Sequence, residues 1–198
     1  MKVGIIGSGG REHSICLALS KSSKVDQIYC FPGNAGTSQL AKNIDINLEN
    51  FNVLKNFIVL NKIDLIVVGP EKPLVDGIVD FLEKNKIKVF GPNKAAAELE
   101  GSKIFTKNLC KKYNIPTAKF AICQNISEAQ EFTKKSKYPL VIKADGLASG
   151  KGVYICTNNN EAQSAINEIF NGKFGIAKNL LIEEFLEGEE MSYFIISD

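Results

Sequence analysis

Along the first half of the chain, short apolar runs alternate with segments of helical period. "KVGIIG", "QIYCF", "IDLIVVG" and "IKVFG" are continuous apolar stretches. Between them, "REHSICLALSKS" repeats Ile15, Ala18 and Leu19 at helical spacing, and "NFNVLKNFIVLNK" and "PLVDGIVDFLEKN" read as further helices. Buried strands joined by helices of about 10 residues predict a parallel sheet covered on both faces, a doubly wound α/β domain.

The pattern changes after "GPNKAAAELEGSKIFTKNLCKKYNIP", which reads as one or two helices broken before Pro116. Strand "KFAIC", helix "ISEAQEFTKKS", strand "PLVIKA", a glycine loop, strand "GVYIC", helix "NNEAQSAINEIFN" and strand "NLLIEEFL" follow. "EEMSYFIIS" alternates weakly and is expected to be one more strand. This order predicts a small α+β lobe with a largely antiparallel sheet. The domain boundary is expected at Pro116, giving residues 1–116 and 117–198.

Composition narrows the classes. With 198 residues, 44% hydrophobic and 23% charged, the chain is an ordinary globular protein of one large or two small domains. A net charge of +2, evenly spread, argues against a nucleic-acid surface. No apolar run approaches the roughly 18 residues of a membrane span, and "MKVGIIGSGG" lacks the features of a signal peptide. The odd set of cysteines, Cys16, Cys30, Cys110, Cys123 and Cys156, contains no Cys-x-x-Cys pair. Reduced core cysteines and a cytoplasmic location are the expectation.

Four loops of unusual chemistry follow the first-half strands: "GSGGREH", "FPGNAG", "VGPEKP" and "FGPN". Open α/β sheets bind ligands outside the carboxyl ends of their strands, although Gly and Pro also simply punctuate turns. Gly7, Ser8 and Gly9 begin a dinucleotide fingerprint, but Glu12 stands where its third glycine belongs, a repulsive group beside a pyrophosphate. The Gly9–Gly10 turn, a helix N-terminus and Arg11 suit a monophosphate better. His13 is the sole histidine and is expected to make a structural hydrogen bond.

"KADGLASGKGV" is no P-loop: three residues separate Gly146 from Gly150-Lys151, Gly152 replaces the hydroxyl residue, and a strand follows. It reads as a hairpin able to fold over phosphates, or as a plain surface turn. Lys143, among Leu140, Val141 and Ile142, must find an anion or water. "LLIEEFLEGEE" runs an apolar strand into Glu183, Glu184, Glu189 and Glu190. Such a segment suits an adenine slot, with main chain on the base edge and a carboxylate on the ribose; read alone, its charges are those of a solvated strand end.

In this order "GSGGREH", "PGNAGT", "IDLIVVGPEKPLVDGIVD", "FGPNKAAAELEGSKIFTK", "IPTAKF", "VIKADGLASGKGV" and "IEEFLEGEEMS" resemble the ATP-grasp superfamily, and within it the phosphoribosylamine–glycine ligase (glycinamide ribonucleotide synthetase) family. The resemblance implies ligation of glycine to 5-phosphoribosylamine in purine biosynthesis. ATP first converts glycine to glycyl phosphate, which the amine then attacks. It implies that Lys103 and Lys143 neutralise phosphates, that Gly146, Ser149, Gly150, Lys151 and Gly152 cover them, that Glu183, Glu184, Phe185 and Leu186 read adenine, and that Glu190 holds the ribose. Gly9, Gly10, Arg11, Glu12, Asn34, Gly69, Pro70 and Glu71 are implied to hold phosphoribosylamine. It further implies Mg2+ or Mn2+, a monomer acting on small molecules, and neither nucleic acid nor membrane as partner. Family chains continue beyond a segment like "EEMSYFIISD". This sequence therefore reads as an N-terminal portion with no catalytic side chain and no metal ligand of its own, and "MSYFIIS" as a strand with an open edge. Another ATP-grasp carboxylate–amine ligase, a nucleotide-binding module without turnover and a dinucleotide oxidoreductase are the alternatives.

Overall fold

The computed structural model describes residues 1–147 and 151–196; Ser149 and Gly150 of the glycine loop lie outside the described residues. The chain divides into two compact units, Met1–Gly101 and Ser102–Asp198. The division precedes the expected break at Pro116 because the start of the helix before that proline bonds to Asp145 and Gly146 of the second unit.

In the first unit, β1 (Lys2–Gly7), β2 (Gln27–Pro32), β3 (Lys42–Asn43), β4 (Leu65–Val68) and β5 (Val89–Phe90) form a parallel sheet in the order β3-β2-β1-β4-β5. Helices α1 (Gly10–Ser20), α2 (Phe51–Asn61), α3 (Glu71–Asp76), α4 (Ile78–Lys84) and α5 (Lys94–Gly101) run between and after the strands. Strand alternation divides the core. Ile5, Ile28 and Cys30 meet Cys16 of α1 on one face, while Ile6, Tyr29, Phe31 and Ile66 meet Leu54 and Ile58 of α2 and Ile78 and Leu82 of α4 on the other. This is the doubly wound architecture, buried on both faces.

Two details differ from the sequence reading. "PLVDGIVDFLEKN" is not one helix: Gly77, left-handed at φ 93°, closes α3 and opens α4. The two-residue strand β3 is polar and carries no apolar signal at all.

In the second unit, α6 (Lys103–Tyr113) precedes an antiparallel sheet of β6 (Phe120–Cys123), β7 (Leu140–Ala144), β8 (Val153–Cys156) and β9 (Leu180–Glu184), in the order β6-β9-β7-β8. Helices α7 (Ile126–Lys135) and α8 (Asn159–Phe170) start at Asn125 and Asn158, whose side chains accept from the Glu128 and Glu161 N–H groups. Their buried Ala129, Ala162, Ala165, Ile166 and Ile169 pack on Leu140, Ile142, Ala144, Leu180 and Ile182. Val141 and Lys143 of β7 and Leu181 and Glu183 of β9 therefore share the opposite face.

Residues 191–196 form no strand. Met191, Tyr193, Phe194, Ile195 and Ile196 are exposed and pair with no strand among the described residues. Alternation alone does not hold a strand without a ladder partner. Among the described residues no helix is long and apolar enough to cross a membrane.

Candidate functional site

In the first unit, the chain leaves β1 toward β2 on one side and reaches β4 on the other, so the loops after β1 and β4 part at the switch in strand order. Gly9 and Gly10 lie at the start of α1 in that crevice. Glu12 turns inward and is buried; its Oε2 accepts from the Gly9 N–H at 2.6 Å. A Cβ at Gly69 would come within 2.1 Å of Glu12 Oε1, and one at Gly7 within 2.6 Å of its Cδ. The carboxylate thus braces the glycine loops from behind.

Asn34 ties the loop after β2 to the same place. Its Nδ2 donates to the Ser8 and Gly9 carbonyls at 2.9 and 3.2 Å, while its Oδ1 accepts from Gly36 and Thr37 N–H. Every polar atom of the Asn34 amide is thereby used within the fold. His13 departs from expectation: its imidazole packs against Gly36 and makes no hydrogen bond among the described residues.

Arg11 Nη1 donates to the Gly69 carbonyl at 2.7 Å and to Glu71 Oε1 at 2.9 Å, just past Pro70. Both side chains remain largely exposed, and the other Arg11 N–H groups make no bond among the described residues. Glu71 has its carboxyl held below the usual 4.5 by its own backbone N–H and then by Arg11. A lowered folded value means stabilisation that is present above the unfolded value and lost as pH falls through the folded one. Exposure and screening limit the pair to about 0.5 kcal/mol. Glu71→Gln should therefore unfold slightly earlier in urea at neutral pH, and the difference should vanish on acidification below 4.5. A difference that grew with acid would contradict this.

The second unit holds a denser cluster. Ser102 opens α6, accepting from the Phe105 N–H, while its hydroxyl donates to Asp145 at 3.1 Å. Asp145 Oδ1 also accepts from the Ile104 N–H at 3.2 Å. Lys103 Nζ donates to the Gly146 carbonyl at 2.8 Å. The near end of the glycine hairpin is thus fastened to the first turn of α6. Gly146 and Gly152 adopt positive φ on either side of the loop, and the Ala144 N–H bonds to the Gly152 carbonyl; Lys151 is exposed.

Lys143 has its anion within the fold: Nζ lies 2.7 Å from Glu183 Oε2. Lys107 Nζ stands 3.0 Å from the other oxygen, Oε1, as an ion pair without an aligned hydrogen bond. Glu183 is therefore a buried member of β9 held between two lysines, not a solvated strand end. Glu184 closes the strand, its Oε1 accepting from the Lys119 N–H at 2.8 Å. Phe185, Leu186 and Glu190 follow in irregular, exposed chain.

Sequence reasoning missed Lys107 and Asp145. Lys107 lies one helical turn after Lys103, the spacing that places two residues on one face of α6. Asp145 is a carboxylate beside a helix start, a cap recognisable only once the two segments are known to meet. Four of the cysteines are buried and Cys110 is partly buried; none is in a disulfide. Burial pushes the Cys30 thiol up to about 12 and those of Cys123 and Cys156 to about 11, so these three are not thiolates at neutral pH.

The two units together define a doubly wound domain followed by an ATP-grasp lobe. A Staphylococcus aureus N5-carboxyaminoimidazole synthetase crystallised with ADP shares this fold at a TM-score of 0.69 and 16% identity, over 93% of this chain and 47% of that one. The profile described as "Phosphoribosylglycinamide synthetase, N domain" matches residues 1–100, and that described as "Phosphoribosylglycinamide synthetase, ATP-grasp (A) domain" matches residues 101–198. The chain belongs to the phosphoribosylglycinamide synthetase family. It is 48% identical to a phosphoribosylamine–glycine ligase of Clostridium acetobutylicum, over all of this chain and 48% of the relative. The crystal structure of the Thermotoga maritima phosphoribosylamine–glycine ligase matches at a TM-score of 0.77 and 37% identity, covering 96% of this chain and 45% of that one. The chain spans about half the length of the curated relatives it matches.

Proposed function

We propose that this chain serves the ATP-dependent ligation of glycine to 5-phosphoribosylamine, supplying the acceptor crevice and the phosphate side of the nucleotide site. One observation carries the nucleotide part: Lys107 and Lys143 share a single carboxylate on the sheet face opposite α7 and α8, leaving an excess positive charge beside the glycine hairpin. Lys103, fixed on Gly146, adds a third ammonium at the base of the hairpin. Such a group of cations answers the triphosphate of ATP.

In this reading Lys103 and Lys143 hold phosphates, and residues 146–152 cover them. Glu183–Leu186 border the adenine, with Glu183 acting through Lys143, and Glu190 meets the ribose. ATP supplies the phosphoryl group that activates the glycine carboxylate; the protein's share is orientation and charge neutralisation, with no side-chain nucleophile. Arg11, with free donors beside Gly9 and Gly10, takes the ribose phosphate, while Glu12, Asn34, Gly69, Pro70 and Glu71 keep the three loops in register. Among the described residues no group of three or more carboxylate, histidine or cysteine side chains is placed to hold a metal ion. The reaction in this reading also takes Mg2+ or Mn2+, which would add positive charge on the phosphates. A cytoplasmic, monomeric enzyme acting on small molecules completes the reading.

The test is calorimetric titration with ADP. The wild-type chain should bind saturably. Lys143→Ala should lose about 1.5–3 kcal/mol, or roughly ten- to a hundredfold in affinity, for one charge-assisted contact. No saturable binding by the wild type, or an unchanged affinity in the variant, would rule the assignment out.

A further inference from the structure

Lys107 ends the segment "GSKIFTK" without an assigned role, yet it is the more deeply placed of the two lysines on Glu183. Its side chain is 11% exposed, against 26% for Lys143 and 6% for Glu183 itself. Its ammonium also donates to Thr117 Oγ1 at 2.6 Å and to the Ala118 carbonyl at 3.5 Å, and sits 5.6 Å from the centre of the Phe120 ring. These contacts fix Lys107 where it can reach Glu183 Oε1 but leave it little freedom to reach a ligand. Lys143, on Oε2, is the more exposed of the pair.

We infer that Lys107 is a positioning residue for nucleotide binding: by taking one oxygen of Glu183, it leaves Lys143 a fixed and only half-compensated cation. A lone Lys143–Glu183 pair is neutral and presents an approaching phosphate with a dipole, whose carboxylate end repels it. With Lys107 in place the triad carries a net positive charge, while Glu183 still anchors the Lys143 side chain against the sheet. In a partly buried site such a difference in net charge is felt strongly. The inference rests on the nucleotide reading above, and adds a residue that does not itself touch the ligand.

A double-mutant cycle with ADP as the probe tests it. Lys107→Met should weaken ADP binding about tenfold, the scale of one charge interaction at a partly buried site. Lys107→Arg, which keeps the charge, should restore affinity to within about threefold of wild type on the same scale. In a Glu183→Gln background Lys107 still contributes its charge but no longer shares the carboxylate that holds Lys143, so Lys107→Met should cost clearly less than it does in the wild type. Circular dichroism establishes that each variant is folded; if Lys107→Met does not fold, Lys107→Gln enters the same cycle. Wild-type affinity in Lys107→Met overturns the inference and leaves the nucleotide reading standing. So does an equal loss in both backgrounds, the mark of a direct contact, of a purely structural role or of the Lys107 charge acting without Glu183. A wild-type chain that does not bind ADP overturns both.

Discussion

Replacing Glu183 with leucine should lower the unfolding free energy of the chain by about 3 kcal/mol, the lower end of what breaking a buried ion pair from one side removes. The reason is charge left behind. Lys107 and Lys143 would face each other across an apolar side chain on the sheet face, with no carboxylate between them. Lys143 has partial access to water, and Lys107 keeps Thr117 and Ala118 as acceptors, which is why the upper end is not expected. The sign of the effect is open to a sharper check. Removing one lysine as well, in Lys107→Met/Glu183→Leu, takes away a buried charge, and the double variant should be more stable than the single one. Urea unfolding followed by circular dichroism measures both. A loss below about 1 kcal/mol in Glu183→Leu, the level of an exposed pair, would show that the triad is solvated.

Phe31→Ala should cost about 4 kcal/mol, within the range for deleting a fully buried aromatic ring. Phe31 is wholly inaccessible, and its ring meets Phe57 edge-on at 5.5 Å between centroids. On its other side lies Gly4, where a Cβ would come 3.0 Å from the Phe31 ring. The void cannot be filled from that side, because Gly4 has no side chain to move and its backbone is fixed between β2 and β4. A residual cavity is therefore expected, and with it the full penalty. Hydrogen exchange should quicken at the amides of β1, β2 and β4. A urea midpoint shift corresponding to less than about 2 kcal/mol would mean that α2 closes over the gap.

What could be read from the chain alone followed burial. β1, β2, β4, β7 and β9 are runs whose apolar residues fill a core, and each declares itself in sequence; β8 is as apolar, although its Val153 and Ile155 are exposed. β3 does not, because Lys42 and Asn43 are paired only through backbone at a sheet edge, where side chains need not be apolar. The break at Gly77 was equally hidden: a lone glycine in a helical pattern is normally tolerated, and only the packing of α3 against α5 and of α4 against the sheet requires the chain to turn there. Of the residues expected to bind ligands, Gly9, Gly10, Arg11, Asn34, Gly69, Pro70 and Glu71 stand on neighbouring loops of the first unit, while in the second Lys143 pairs with Glu183 and Lys103 is bound to Gly146. The partners were the illegible part. Nothing local in "IEEFL" says that Glu183 faces inward toward two lysines. The strand's own alternation with Leu181 held the hint, but naming Lys107 required knowing that its side chain reaches Phe120 of β6 and Glu183 of β9.

The inward turn of Glu12 has a consequence for how this sequence can drift. One side chain occupies the space that Cβ atoms at Gly7, Gly9 and Gly69 would need. Two positions of one loop and a third in the loop after β4 are therefore crowded by a fourth: a methyl group at Gly9 or Gly69 meets Glu12 while it stays, and shortening residue 12 frees space beside both, whereas Gly7, at φ 125°, is kept a glycine by its backbone as well. Variants would reach the crevice through position 12 first, with changes at Gly9 and Gly69 only afterwards, so the order of substitutions matters more at these two positions than their number.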